Sequence, residues 1–440
     1  MAKQPKPKAG KRKTKEPIRT EDLYDATDTR PPDSGRRSKN QEVEKWLEMS
    51  YDFRYNVIKQ KPEWKEKAAI TYNPIDKYKL LSIKRELDAV GHSISKDGLL
   101  DILCSSFAPA INPVKDYFNK LQPWKKGDED YIMQLANTVQ AKNDKKWNEY
   151  FRKWLIGVVA NVFIDEHCAN HVMLVLTGEQ GKFKTTWLDN LCPKSLRPYL
   201  FTGKLNLESK DTLTLLAEYL FVNIDDQLKQ LHKKDENDLK NLITAPNVKY
   251  RRPYDPIITE YPHLCSFMGS VNGNEFLNDP TGSRRFMPFE VLNLDIDKAK
   301  AIDMDKVWSQ VVFLYKSRER YWFNDAEIIE LNARNAEFSM TSQEEEYLHY
   351  YFYTKAKIGS HAQAKFLPSS IILSMIEQKT RTSRLSAKKL GEALSKAGVK
   401  KIQKANQEGK MVWGYILFEK TTDEIETQSN YSKPLELQTA

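Results

Sequence analysis

Cysteine is scarce and dispersed. Cys104, Cys168, Cys192 and Cys265 are the four in 440 residues, and no two form a C-x-x-C pair. That argues against a disulfide framework and against a cysteine zinc site. Long apolar runs are also missing: no stretch approaches the ~18 apolar residues that a membrane-spanning helix needs, which excludes an integral helical membrane protein. Residues 1–20 are rich in Lys and Pro and lack the apolar stretch of a secretory signal, so the cytoplasm is the expected compartment. Aliphatic side chains are nearly absent from residues 1–40, where Pro, Ser, Gly and charge runs dominate. Such a segment cannot bury enough apolar area to offset its ordering entropy, and it is expected to be disordered. No internal repeat is visible.

What is present starts with length and charge. A chain of this size exceeds the roughly 250–300 residues at which a single core stops growing, and predicts two to four domains. Lys plus Arg number 69 against 60 Asp plus Glu, a formal charge of +9. Residues 1–20 contribute +7 and residues 21–40 contribute −1, which leaves only +3 for the remaining 400. The excess of cations is therefore mostly a property of the N-terminal tail.

From Gln41 the texture changes. Trp46, Leu47, Phe53, Tyr55 and Val57, then the helical period of "YKLLSIKRELDAVG" and helices broken near Pro109 and Pro113, predict an α-helical module over 41–145. "WNEYFRKWLIGVVANVFI" is apolar on a helical period, and "HVMLVLTG", "YLFVNID" and "HLCSFMGSVN" read as continuous apolar strands with helical material between them. Strands of that kind are buried on both faces, as in a parallel sheet covered by helices. They predict an α/β domain over 146–323. A linker helix is expected over 324–342. "PSSIILSMIEQ", "SAKKLGEALSKAG" and "VKKIQKANQEGKMVWGYILFE" read as helix, turn, helix and hairpin, a winged-helix-like domain over 343–420. Its second helix is the candidate reader, and Lys388, Lys389, Lys396, Lys400, Lys401 and Lys404 give either a phosphate-facing surface or a solvated charged face. Residues 421–440 are expected to be a flexible tail.

The chemistry gathers after the first of the three strands. Gly178, Glu179, Gln180, Gly181, Lys182, Phe183, Lys184, Thr185 and Thr186 read G-x-x-x-x-F-K-T, one residue from the phosphate-binding pattern G-x-x-x-x-G-K-[ST]. In that loop backbone N–H groups and a helix N-terminus surround the phosphates, the Lys neutralises the outer ones, and the hydroxyl holds Mg²⁺. Lys184 and Thr185 take those roles; the competing reading is a Gly-containing strand-to-helix turn. Phe183 stands where glycine is usual, at a cost on the order of 1–2 kcal/mol if the position needs φ > 0. The second strand ends in Asp225 and Asp226, with Asp225 assigned to the metal and Asp226 to polarising the attacking water; standing alone they would read as a solvated helix N-cap. Asn272, at the end of the third strand, can orient that water or be a turn residue. Arg284 and Arg285 follow, as a transition-state finger acting on a neighbouring subunit or as a surface pair. His167, Cys168 and His171 lie close together, but they lack a fourth ligand and read as ordinary loop contacts.

The ordered set "GEQGKFKTTWLDNL", "LFVNIDDQ", "LKNLITAPNVKYRRPYD" and "SFMGSVNGNEFLNDPTGSRRF" resembles the virulence-associated protein E (VapE-like) family over roughly 147–323. These are ATPases of phages and mobile elements, related to superfamily III helicases within the AAA+ class. The resemblance implies an AAA+-like P-loop core that binds ATP and Mg²⁺. It also implies a homo-oligomeric ring, a hexamer, in which one subunit supplies Lys184, Thr185, Asp225, Asp226 and Asn272 and the next supplies Arg284 or Arg285. Related helicases place a hairpin in the central channel. Here that position carries Lys249, Arg251 and Arg252 interleaved with Tyr250 and Tyr254, cations for phosphates beside aromatics for bases, with a basic surface turn as the competing reading. Family members often carry an N-terminal primase. No acidic triad for one is evident here, so a separate primase is a candidate partner.

The function expected from these features is an ATP-dependent DNA helicase or translocase in replication of a mobile element or phage. The alternative is a nucleotide-gated DNA-binding or defence switch that does not unwind. A small-molecule kinase would share the loop, but it requires neither Asn272, nor the arginines, nor the hairpin.

Overall fold

The structure is a computed structural model, and it describes residues 39–209, 211–251, 257–278, 283–356, 363–380, 385–405 and 409–429. The chain divides into two compact units, Met1–Ile111 and Asn112–Ala440. The expected disordered tail, apart from residues 39 and 40, lies outside the described residues.

The first unit opens with helix Lys39–Ser50, which runs into strand β1 (Tyr51–Asn56). β2 (Lys61–Glu66), β3 (Asn73–Pro74), helices Lys77–Ala89 and Lys96–Leu103, and β4 (Ala110–Ile111) complete it. β1 pairs antiparallel with β2 and parallel with β4, giving the sheet order β3-β2-β1-β4. This corrects the all-helical expectation for the N-terminal module. Tyr51, Phe53 and Tyr55 alternate along "YDFRYN", the period of two that marks a strand, and Phe53 faces Trp64 across the hairpin. Leu47, Ile83, Leu87, Leu99 and Leu103 are buried, and Phe53 is packed among them.

The second unit is built on a six-stranded sheet of β5 (Val139–Ala141), β6 (Met173–Thr177), β7 (Leu200–Gly203), β8 (Phe221–Asp225), β11 (Ser266–Ser270) and β12 (Phe286–Leu294). A separate hairpin, β9 (Asn247–Tyr250) and β10 (Thr259–Pro262), leaves the chain before β11. The sheet order is β5-β12-β6-β11-β8-β7. All neighbours are parallel except β5, which lies antiparallel on β12. Because β5 and the helices Pro113–Lys120 and Tyr131–Ala136 belong to this unit, the α/β unit starts near residue 112 rather than 146. β6, β8 and β11 are the three apolar runs read in the sequence, and the first four residues of each are buried on both faces.

In the 20-residue helix Asp144–Phe163 the first half exposes Lys145 and Glu149, whereas the part from Trp154 onward is apolar nearly all round because it lies inside the fold. Trp147 stacks on Phe151 at 4.7 Å, and Trp154 on Phe221 at 6.1 Å. Among the described residues no helix is long and apolar enough to cross a membrane.

Helix Asp325–Asn335 follows the sheet. Beyond it come helix Gln343–Tyr351, β13 (Phe352–Tyr353), β14 (Ala364–Leu367), helices Ser369–Thr380 and Ala387–Lys396, β15 (Ile402–Ala405) and β16 (Met411–Glu419). β16 pairs with all three other strands of this set. A core of its own, including Tyr347, Leu348, Ile372, Ile376, Leu390, Leu394 and Leu417, holds the set together. Residues 422–429, placed in a flexible tail by composition, form helix Thr422–Ser429, with Thr421 accepting from the Glu424 N–H as its cap.

Candidate functional site

In a parallel sheet a crevice opens at the carboxyl ends of the strands where neighbouring strands are connected in opposite directions. β6 meets that condition: the chain leaves it toward β7 at one edge, whereas the connection from β11 to β12 runs the opposite way, to its other side. The loop 178–183 leaves β6 at this point and ends at helix Lys184–Asn190.

Gly178 has φ +129°, and a Cβ there would lie 2.8 Å from the Val291 carbonyl oxygen of β12, so only glycine fits. Its N–H donates to the Gly273 carbonyl (3.3 Å) and its carbonyl accepts from the Gly273 N–H (3.0 Å), tying this loop to the one after β11. Thr177 donates to Asn274 Oδ1 at 3.1 Å. Hydrogen bonds from Asn274 and Lys142 hold the Glu290 carboxyl below its usual range. Segment 272–274 is thereby fixed against β6 and β12.

Lys184 is buried at the first turn of its helix. Its Nζ donates to the carbonyls of Gly178 (3.1 Å) and Glu179 (2.6 Å) and to Asn272 Oδ1 (3.3 Å). Burial pulls its pKa below the ordinary lysine value, against the opposing pull of Asp226 and Asp225. Thr185 Oγ1 donates to Asp225 Oδ1 at 2.7 Å, and Ser270 Oγ donates to the same oxygen at 2.9 Å. One carboxylate with flanking hydroxyls fits Mg²⁺, which takes one or two protein carboxylates and completes its shell with water and phosphate oxygens. Among the described residues no cluster of three or more His, Cys, Asp or Glu could hold a metal ion. Cys168 is buried, with its thiol pushed up to about 12 by that burial, and His171 Nε2 contacts the Cys168 carbonyl at 2.9 Å. Asp226 is exposed at the mouth in a left-handed conformation (φ 46°), its N–H bonded to the Ser270 carbonyl.

Glu179, Gln180, Gly181 and Thr186 are exposed and Lys182 is half-exposed, 3.7 Å from Glu179. Phe183 has φ 55°, ψ 23° and is 59% exposed. The left-handed conformation that glycine adopts freely is thus held by an aromatic residue. Phe183→Gly is expected to raise folding stability by about 0.5–1 kcal/mol, relief of the strain being partly offset by the freer unfolded chain. Denaturant unfolding checks this, and a loss of stability would mean that the ring has a packing role.

Arg284 and Arg285 are not brought to this cluster. They sit in the turn Ser283–Arg285 ahead of β12, whose first residue, Phe286, pairs with Met173 at the start of β6. The full length of β6, about 16 Å at ~3.3 Å per residue, separates them from the loop. Arg284 is exposed. Arg285 is half-buried, and its Nε has no hydrogen-bond partner among the described residues.

In the β9–β10 hairpin the period of two sorts the side chains. Lys249 is exposed and paired with Glu260 at 3.2 Å, and Arg251 is exposed. Tyr250 is 7% exposed, its ring 4.6 Å from that of Tyr261. It belongs to the core and is not a platform for a base, which corrects the sequence expectation. Arg252 and Tyr254 lie outside the described residues.

Three residues near the site escaped the sequence reading. Ser270 and Asn274 flank Asn272 in "GSVNGN", and that run of short polar side chains was the available signal. Lys229 is exposed, its Nζ 3.8 Å from where a Cβ on Gly273 would sit; nothing in the sequence marked it.

The fold and this cluster define an α/β protein with its candidate site at the carboxyl edge of a parallel sheet. Residues 119–340, half of the chain, match the virulence-associated protein E-like domain, and the protein belongs to that family. No curated protein matches the chain. It is similar to the apo structure of the NrS-1 C-terminal region (305–718), at 14% identity over 86% of this chain and 99% of that one, with a TM-score of 0.49. A second apo form of that region gives 14% identity, 87% and 99% coverage, and a TM-score of 0.47.

Proposed function

We propose that this protein is an ATP-dependent DNA helicase or translocase that works as a homo-oligomeric ring, a hexamer, in replication of a mobile element or phage. The observation that carries the reading is the convergence of Lys184, Thr185, Asp225 and Asn272 at one strand edge through direct hydrogen bonds. The strand arrangement supports an AAA+-like P-loop core, and the C-terminal element order supports a winged-helix-like domain.

In this reading loop N–H groups from 179 to 185 take the ATP phosphates, and Lys184 exchanges its carbonyl partners for β- and γ-phosphate oxygens. Asp225 and the Thr185 hydroxyl would hold Mg²⁺, which supplies charge neutralisation between the outer phosphates when bound. Asp226 accepts hydrogen bonding from the attacking water, and Asn272 orients it in line with the leaving oxygen. Arg284 or Arg285 serves the site of the adjoining subunit, because the length of β6 keeps both from their own. Lys249 and Arg251 contact single-stranded DNA in the central channel. A separate primase is the expected partner of such a protein, and the cytoplasm its compartment.

The test is ATP turnover with and without single-stranded DNA. Lys249→Ala combined with Arg251→Ala should abolish DNA stimulation and keep basal turnover. Equal turnover with and without DNA in the parent protein sinks the helicase reading. The strained Phe183 favours a second one, a nucleotide-gated DNA-binding or defence switch with slow turnover. Strand displacement on a forked substrate rules that alternative out.

A further inference from the structure

The C-terminal hairpin carries a surface that the nucleotide site does not use. Along β16, residues 411, 413, 415 and 417 face the same side. Tyr415 and Leu417 are buried in the C-terminal core, whereas Trp413 and Met411 continue that apolar stripe past it and are 55% and 56% exposed. Lys401 Nζ lies 5.8 Å over the Trp413 ring, and Lys404, opposite Val412 on β15, lies 5.6 Å over Phe366. From Lys388 to Lys410 the sequence holds seven lysines and two glutamates, a net +5 in 23 residues, against +3 for the whole of residues 41–440. Lys396 is already paired with Glu345 at 2.8 Å. Lys400, Lys401 and Lys404 make no ion pair among the described residues.

We propose that the β15–β16 hairpin is a stacking platform for single-stranded nucleic acid, with Trp413 taking a base and Lys401, over the same ring, and its neighbour Lys400 taking the adjoining phosphates; Lys404 lies on the opposite face with Phe366. Concentrated positive charge selects a polyanion, and it disfavours a second copy of the chain, which would set +5 against +5. An exposed Trp beside an exposed Met selects unpaired bases, since a base inside a duplex offers no free face to an aromatic ring. The sequence makes helix Ala387–Lys396 the candidate reader and counts Lys400, Lys401 and Lys404 in the same phosphate-facing surface; the geometry points to the hairpin as the base-contacting element.

The experiment uses the full chain without nucleotide, so that failure of the ATPase reading leaves it unaffected. Fluorescence anisotropy measures binding of a thymidine oligomer, an abasic strand of equal length and a duplex. Trp413→Ala should weaken thymidine-oligomer binding about tenfold, leave the abasic strand unchanged, and be largely rescued by Trp413→Phe. The loss should persist in an Arg251→Ala background. Lys400→Gln with Lys401→Gln should weaken both single strands and reduce the salt slope by about 1.4. The proposal is overturned if Trp413→Ala leaves the thymidine oligomer unchanged or weakens both single strands equally. Tighter binding of the duplex than of the thymidine oligomer, lost in the same variant, or an unchanged salt slope in the double lysine variant, also overturns it.

Discussion

Lys184→Met should reduce ATP turnover by about 10²–10³, the effect of removing one preorganised charge-stabilising donor, and should abolish stabilisation by ATP while barely changing the stability of the unliganded protein. The second half of that expectation separates a ligand-binding lysine from a structural one. Lys184 is buried without an ion pair among the described residues, its charge satisfied by two loop carbonyls and one amide oxygen. Methionine keeps the stem and removes the desolvated charge. The Gly178 carbonyl retains its bond from the Gly273 N–H, and the Glu179 carbonyl belongs to an exposed residue. Gains and losses therefore nearly cancel. ATP at a hundred times its Kd stabilises a binding protein by about 2.7 kcal/mol, an upward shift of several degrees. Thermal unfolding with and without ATP and Mg²⁺ reads both effects. An ATP-dependent shift that survives in Lys184→Met would show that the loop is not the phosphate site.

Replacing the arginine proposed to act in trans should be comparably severe and should differ in kind. Of Arg284→Ala and Arg285→Ala, the variant lacking the finger should lose about 10³ in turnover while keeping the thermal shift with ATP, because the proposed phosphate site lies at the other end of β6. Mixing that variant with Lys184→Met should restore activity to two inactive proteins. In a randomly mixed ring roughly a quarter of the interfaces join an intact Lys184 to an intact arginine across the head-to-tail contact. The separation of about 16 Å along β6 makes this outcome specific. A site completed within one subunit could not be rescued by a partner. Mixtures inactive at every ratio would remove the ring from the mechanism.

How much could be read from the sequence depended on how local the cause was. β6, β8 and β11 were legible because strands buried on both faces are continuous apolar runs. The loop after β6 was legible because Gly178 and Lys184-Thr185 are fixed in spacing by backbone geometry. β1 is not legible as a strand. Its aromatics alternate over only six residues, and the Phe53–Trp64 pair that supports it is a contact across a hairpin, not a periodicity in one segment. Tyr250 was misassigned for a related reason: the identities around it suggest base stacking, but the pleat that turns Val248 and Tyr250 inward becomes visible only once β9 is paired with β10.

By itself the sequence determined which chemical groups are available and in what order. A lysine and a threonine open a helix, two acids end a strand, an asparagine ends another, and an arginine pair precedes a last one. Tertiary structure decided which of them meet. Parallel pairing of β6 with β11 and of β11 with β8 brings Thr185, Asp225, Ser270 and Asn272 within hydrogen-bonding reach of one another or of Lys184. Parallel pairing of β12 with β6 carries Arg284 and Arg285 to the far end of the same sheet. The physical reason is that strand direction fixes which end of a parallel sheet each loop occupies, and chain order alone does not specify that direction.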